Sequence, residues 1–79
     1  MYKPTIEEIE ALGFYQDDGD MYVLIVYEER NHGIIFPQLA CYFAEKNIFL
    51  CGGAYFQPDD HDHLVSILKG YQNYGNILK

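Results

Sequence analysis

The run Met21-Tyr22-Val23-Leu24-Ile25-Val26-Tyr27 is the longest unbroken apolar stretch of the chain. It is rich in β-branched and aromatic residues and follows an Asp-Gly turn signal, which predicts a β-strand. Alternation puts Val23 and Ile25 on one face and Tyr22, Leu24 and Val26 on the other, so both faces are apolar. A strand of this kind needs cover on both sides. A chain of 79 residues can cover one face with its own helices. The other must be hidden by a loop, a sister subunit or a partner.

That length predicts one domain, spanning residues 1–79. A domain this small buries only about 60% of its unfolded surface. Eight tyrosines and five phenylalanines offset this, since each ring can bury roughly 150–250 Å². Twelve Asp and Glu against five Lys and Arg leave a net charge of −7. Such a balance argues against direct nucleic-acid binding, which needs a cationic footprint, and against docking on an anionic membrane. It favours basic protein partners. No apolar run approaches the roughly 18 residues of a membrane span. The N-terminus Met1-Tyr2-Lys3-Pro4-Thr5 lacks a signal-peptide core. A cytoplasmic location is expected, with Cys41 and Cys51 as free thiols.

Thr5-Ile6-Glu7-Glu8 fits a capping box. Ile6, Ile9 and Leu12 recur at helical spacing before Gly13, predicting a short helix from Thr5 to Leu12. A two-residue turn at Asp18-Gly19 would pair Tyr15 with Tyr22 and Phe14 with Val23. Glu28-Glu29-Arg30 ends the central strand, and Asn31-His32-Gly33 reads as a loop. Pro37 to Lys46 has two readings. As a helix, Pro37 takes the first position and Leu39, Ala40, Phe43 and Ala44 share a face. As strands, a three-residue loop Glu45-Lys46-Asn47 with left-handed Asn47 pairs Phe43 with Phe49 and Cys41 with Cys51. These pairings favour the hairpin. Gly52-Gly53 marks a bulge or bend before Ala54-Tyr55-Phe56. A second helix is expected from Asp59 to Lys69, stopping at Gly70, with Leu64, Ile67, Leu68 and Tyr71 as its core stripe. The tail from Tyr71 reads as a frayed end or an added edge strand. The expected fold is α+β: an antiparallel sheet of four to five strands, with a short N-terminal helix and a longer C-terminal helix packed on one face.

Asp59-Asp60-His61-Asp62-His63 is the densest cluster of potential ligands. On a helix His61 and His63 diverge by about 200°, so a divalent ion would fall to Asp59, Asp60 and His63, with a further ligand such as His32 from elsewhere. Helix capping and the macrodipole explain the three Asp without a metal, but not the two His. Asp17, Asp18 and Asp20 resemble half of a calcium loop, yet the residues leading to Glu28 form a strand, so they read as turn residues. Cys41 in an apolar strand has no spacing relation to His32 that suggests a nucleophile and base. Ser66 lacks a nucleophile elbow, and Gly52-Gly53 lacks the rest of a phosphate loop. The residues predict no enzyme and no cofactor.

What remains is surface character. Carboxylates cluster at Glu7/Glu8/Glu10, Asp17/Asp18/Asp20, Glu28/Glu29 and Asp59/Asp60/Asp62. Tyrosines close to them give contact area at low entropic cost. In size and charge, though in no motif, the chain is similar to the small acidic inhibitors of phages and mobile elements, anti-CRISPR proteins among them. That likeness implies an inhibitor or adaptor that docks on a basic protein or nucleoprotein complex, and it assigns no residues. The residues themselves nominate Asp17, Asp18, Asp20, Glu28 and Glu29 for charge and Tyr15, Tyr22 and Tyr27 as anchors. An alternative is a homodimer that buries Tyr22, Leu24 and Val26. Another is a metal-binding module at Asp59, Asp60 and His63.

Overall fold

The computed structural model describes residues 1–77. Helix α1 (Ile6–Ala11) precedes strands β1 (Tyr15–Asp18), β2 (Met21–Asn31), β3 (Ile34–Phe43), β4 (Ile48–Cys51) and β5 (Ala54–Phe56), and helix α2 (His61–Ile77) follows. The strands form one antiparallel meander in chain order. Both helices pack on the same face, giving the expected α+β architecture.

Local chemistry sets the boundaries of α1. The Thr5 hydroxyl accepts from the Glu8 amide at 3.1 Å, and the Glu8 carboxylate accepts from the Thr5 amide at 3.1 Å. Past the other end, the Gly13 and Phe14 amides return to the Glu10 and Ile9 carbonyls, with Gly13 at φ 102. This is a Schellman closure, which favours glycine at the left-handed position. It delivers Phe14 into the core.

Both predicted hairpins form, each one residue out of the expected register. Tyr15 pairs with Val23 and Gln16 with Tyr22, with a bulge between Gln16 and Asp18. The turn is Gly19-Asp20, with positive φ at Gly19 only, which excludes type I′. Between β3 and β4, Phe43 pairs with Ile48 and Cys41 with Leu50. The loop is Ala44 to Asn47, one residue longer than expected, and it closes on Asn47 at φ 51. The helical reading of Pro37 to Lys46 is thereby replaced by strand. Pro37 is tolerated because β4 pairs only Ala40–Phe43, leaving a free edge where Pro37 sits. Of the bulge or bend expected at Gly52-Gly53 the bend forms, as a tight turn between paired strands.

Helix α2 also departs from expectation. Asp60, not Asp59, is its cap, with its carboxylate accepting from the His63 amide at 2.7 Å. The helix runs through Gly70 to Ile77, so the tail from Tyr71 is neither frayed nor a strand; Leu78 and Lys79 lie outside the described residues. Gly75 explains the continuation. A Cβ there would stand 2.2 Å from the Tyr27 Cβ, so a glycine lets α2 lie directly on β2.

The core lies between the helices and one sheet face. It gathers Ile9 of α1, Phe14, Val26, Ala40, Tyr42, Phe49 and Cys51 beneath Leu64 and Leu68 of α2. Phe49 is its centre, with Phe56 stacked at 5.3 Å, Tyr42 tilted at 4.5 Å and Phe14 edge-on at 6.1 Å. The paired positions of β2 on this face are Tyr22 and Leu24, opposite Tyr42 and Ala40. A bulge between Ile25 and Tyr27 adds Val26 to the core and keeps Tyr27 on the helix side. The homodimer residues nominated from sequence, Tyr22, Leu24 and Val26, are therefore covered by the chain's own helices. The uncovered face carries Val23 and Ile25.

Candidate protein-interaction surfaces

Two regions are left open. The first is the outer sheet face. Strand pairing puts Tyr15, Val23, Cys41, Leu50 and Tyr55 in one row across all five strands. Met21, Phe43 and Ile48 flank the row on one side, and Ile25 and Leu39 on the other. Val23 is buried although it belongs to no part of the core under the helices; its neighbours on this face cover it. Tyr15, Ile25, Leu39 and Tyr55 are between 40% and 64% exposed. Contiguous apolar surface of this kind is common at interaction sites.

The second region is an arm. Beyond Leu39, strand β3 has only β2 as a neighbour, so Tyr27–Asn31 and Ile34–Gln38 leave the body as a two-stranded ribbon. Its tip, His32-Gly33, has positive φ at both residues, the type I′ geometry. The arm contributes to the elongated 41 × 25 × 22 Å envelope. A two-stranded ribbon alone is marginal in water. This one exposes Ile34, Ile35 and Phe36, each between 45% and 56%. Ile34 and Phe36 share the helix-side face with Asn31 and Glu29. At the root of that face lies a shallow groove of about 540 Å³ lined by Tyr27, Gly52, Ile67, Gly70, Tyr71 and Tyr74. Tyr27 and Tyr74 meet edge to face at 5.8 Å. Burial, then nearby Glu29, raises the Tyr27 phenol above its ordinary pKa. It therefore stays a neutral hydroxyl at physiological pH.

The residues nominated for partner binding do not form one patch. Glu29 and Tyr27 lie on the helix side of the arm, and Glu28 on its outer side, paired with Pro37. Asp17 and Asp18 sit at the opposite end of β2, roughly 25 Å away at about 3.3 Å per residue. Tyr15 is on the outer face near them. Asp20 and Tyr22 have structural roles. The Asp20 backbone carbonyl and carboxylate accept from the Ala44 and Glu45 amides at 3.0 and 3.1 Å, tying two turns together. Tyr22 packs on the core.

The histidines that capping alone left unexplained now have partners. His63 Nδ1 accepts from the Asp59 amide at 2.9 Å, so the residues nominated as metal ligands build the cap of α2. Among the described residues, no three His, Cys, Asp or Glu side chains gather as a metal site. His61 Nδ1 stands 3.4 Å from the Glu8 carboxylate and 3.5 Å from the Tyr2 hydroxyl, bridging the two helices. Cys41 faces outward and Cys51 inward, one strand apart, and both are free thiols. His32, at the arm tip, is roughly 30 Å along β3 from Cys41.

Sequence reasoning missed the arm as a unit. Its signal was present in Asn31-His32-Gly33 between the end of the central strand and the apolar Ile34-Ile35-Phe36, with Pro37 marking a free edge. Among the described residues no helix is long and apolar enough to cross a membrane. No family model, no curated protein and no solved structure matches this chain.

Proposed function

We propose that this chain is a small, acidic, non-enzymatic binding protein that docks on a basic site of another protein, as an inhibitor or adaptor. The observation that carries the reading is the arm: a protruding ribbon with Ile34 and Phe36 on the face that continues into the Tyr27–Tyr74 groove. Exposed branched and aromatic side chains on a marginal ribbon gain most when a partner covers them. Glu29 beside the groove and a net charge of −7 favour a cationic partner surface, of the kind that lines a nuclease or nucleic-acid-binding cleft. Phe36 is the central anchor, Ile34 and Tyr74 flank it, and Glu29 supplies charge. A cytoplasmic site of action belongs to the same proposal.

The test is affinity capture from host lysate with the wild-type chain and with Phe36→Asp, washed at rising salt. A basic protein that binds wild type, leaves with salt and is lost at least about tenfold with Phe36→Asp supports the reading, as expected of an anchor. Capture that is indifferent to both salt and Phe36→Asp would sink it.

A further inference from the structure

The groove at the root of the arm has a narrower chemistry than apolar cover. Building on the binding role above, we propose that it is a pocket for one arginine side chain of the basic partner.

The first observation is a missing side chain. Gly70 lies inside α2, where glycine is a poorer residue than alanine because it has more backbone freedom to lose. The helix's other glycine, Gly75, is explained by contact, since a Cβ there would collide with Tyr27. Gly70 has no such neighbour. A Cβ at Gly70 would meet no atom of the described residues within 4 Å. Packing of the helix on the sheet therefore does not require this glycine. Its bare backbone does leave the groove open, because Gly70 is part of the lining. A leucine at the same position would project into that space.

The second observation is what surrounds the opening. Tyr27, Tyr71 and Tyr74 line it, with Ile67 and the two glycines Gly52 and Gly70. Tyr27 and Tyr74 meet at 69° with ring centroids 5.8 Å apart. Rings at that angle form a corner, which turns parts of two π faces toward one occupant. The Tyr71 hydroxyl donates to the Cys51 carbonyl at 3.2 Å, which fixes the third ring. Aromatic faces carry negative potential and attract cations. Glu29 adds a full charge at the rim. It shares the helix-side face two positions from Tyr27, about 7 Å along the strand.

A site of this composition favours a cation that sheds water readily. Guanidinium is planar and weakly hydrated, stacks on aromatic rings, and pairs with a carboxylate through two parallel hydrogen bonds. A lysine ammonium holds its water more strongly. An uncharged aliphatic side chain makes no use of Glu29. Phe36 is paired with Glu29, so the apolar anchor of the arm stands beside the pocket. Arginine is also among the residues that most often dominate binding energy at interfaces.

The probe is a blocked Gly-Arg-Gly tripeptide, titrated into the purified chain while the aromatic NMR signals of Tyr27 and Tyr74 are followed. Saturable shifts of both rings are expected. The same peptide with citrulline or lysine in place of arginine should bind more weakly. Gly70→Leu should abolish the shift of Tyr27 while the circular dichroism stays native. Tyr74→Leu, at an exposed position, should weaken binding about threefold, as should Glu29→Gln, whereas Tyr74→Phe should keep it. Shifts that do not saturate overturn the proposal. So do a citrulline or lysine peptide that binds as well as arginine, and binding that survives Gly70→Leu. The outcome separates from that of the partner capture. Capture lost with Phe36→Asp but untouched by Gly70→Leu overturns the pocket and leaves the binding role standing. A chain that binds the arginine peptide and captures nothing keeps the pocket's chemistry and removes the role.

Discussion

The two faces of the sheet are built from similar residues and have opposite fates. Tyr22 and Leu24 alternate with Val23 and Ile25 along one strand, and hydropathy does not separate the two sets. What separates them is what each set meets. The covered set meets Ile9, Phe14, Leu64 and Leu68, and is closed off by aromatic contacts around Phe49. The open set meets only its neighbours in the sheet. Apolarity thus makes a face fit for burial, while helix placement decides which face the chain buries by itself. The remaining one is available to another molecule.

The largest expected effect contrasts the two directly. Phe49→Ala removes the ring on which Tyr42, Phe56 and Phe14 converge. It should cost about 3–5 kcal/mol in denaturant unfolding. Leu39→Ser on the open face should cost under about 1 kcal/mol because the side chain is already half in water. Equal costs would mean that the outer face is not open in solution. Gly75→Ala probes how tightly the cover is applied. Alanine favours a helix by about 1 kcal/mol over glycine, yet its Cβ collides with Tyr27. A net loss of about 1–3 kcal/mol is expected from overpacking. A gain in melting temperature would show that α2 sits farther from the sheet.

Those contrasts also explain how much was legible in the sequence. The capping box at Thr5 and Glu8 was readable because both partners lie within one turn. So was the left-handed Asn47, whose side chain suits that conformation. The α+β architecture followed from hydrophobic periods. Register did not, and the miss had a cost. Placing the first turn at Asp18-Gly19 puts Phe14 beside Val23 and makes the odd-numbered face the core. The bulge at Asp17 shifts the pairing by one and sends Phe14 to the other face. A single-residue slip inverts a strand, and the dimer residues chosen from sequence include Val26 in the core and Tyr22 and Leu24 packed half-buried against it. What stabilises the true register is distant: Asp20 binds the Ala44 and Glu45 amides across 24 and 25 positions of chain. Gly70 misled for the same reason. A glycine reads as a helix stop, and only the contact of Gly75 with Tyr27 shows why the helix continues. Within the candidate sites, Tyr27 and Glu29 were picked out individually, but only the fold brings Phe36, Ile34 and Tyr74 beside them.

Asn47 gives a third, smaller effect, because it fastens the covered side to the N-terminus. Its side chain accepts from the buried Tyr42 hydroxyl at 2.9 Å and donates to the Tyr2 carbonyl at 2.9 Å. Asn47→Ala leaves the Tyr42 hydroxyl without its acceptor and replaces a residue that tolerates the left-handed region with one that tolerates it less at φ 51. A loss of about 1–3 kcal/mol is expected from the stranded group, and Asn47→Gly should recover the conformational part alone.

The smallest effect concerns the edge of the helical cover. The Glu8 carboxyl is held below its ordinary pKa, first by the Thr5 amide, with the Thr5 and Tyr2 hydroxyls and His61 adding to it against a raising effect of burial. A carboxylate whose pKa is lower in the folded state contributes stability that is complete above its unfolded pKa and disappears as pH falls through the folded one. Stability should therefore decline below about pH 4, the ordinary Glu range. Glu8→Gln keeps an acceptor for the Thr5 amide but removes the titration, so its stability should change less between neutral and acid pH than the wild type's. The open face carries no comparable carboxylate cap, and neither Ile25→Thr nor Leu39→Ser should alter the acid limb. An acid limb equally steep in wild type and Glu8→Gln would place the controlling carboxylate elsewhere and remove α1 from the list of what holds the covered face closed.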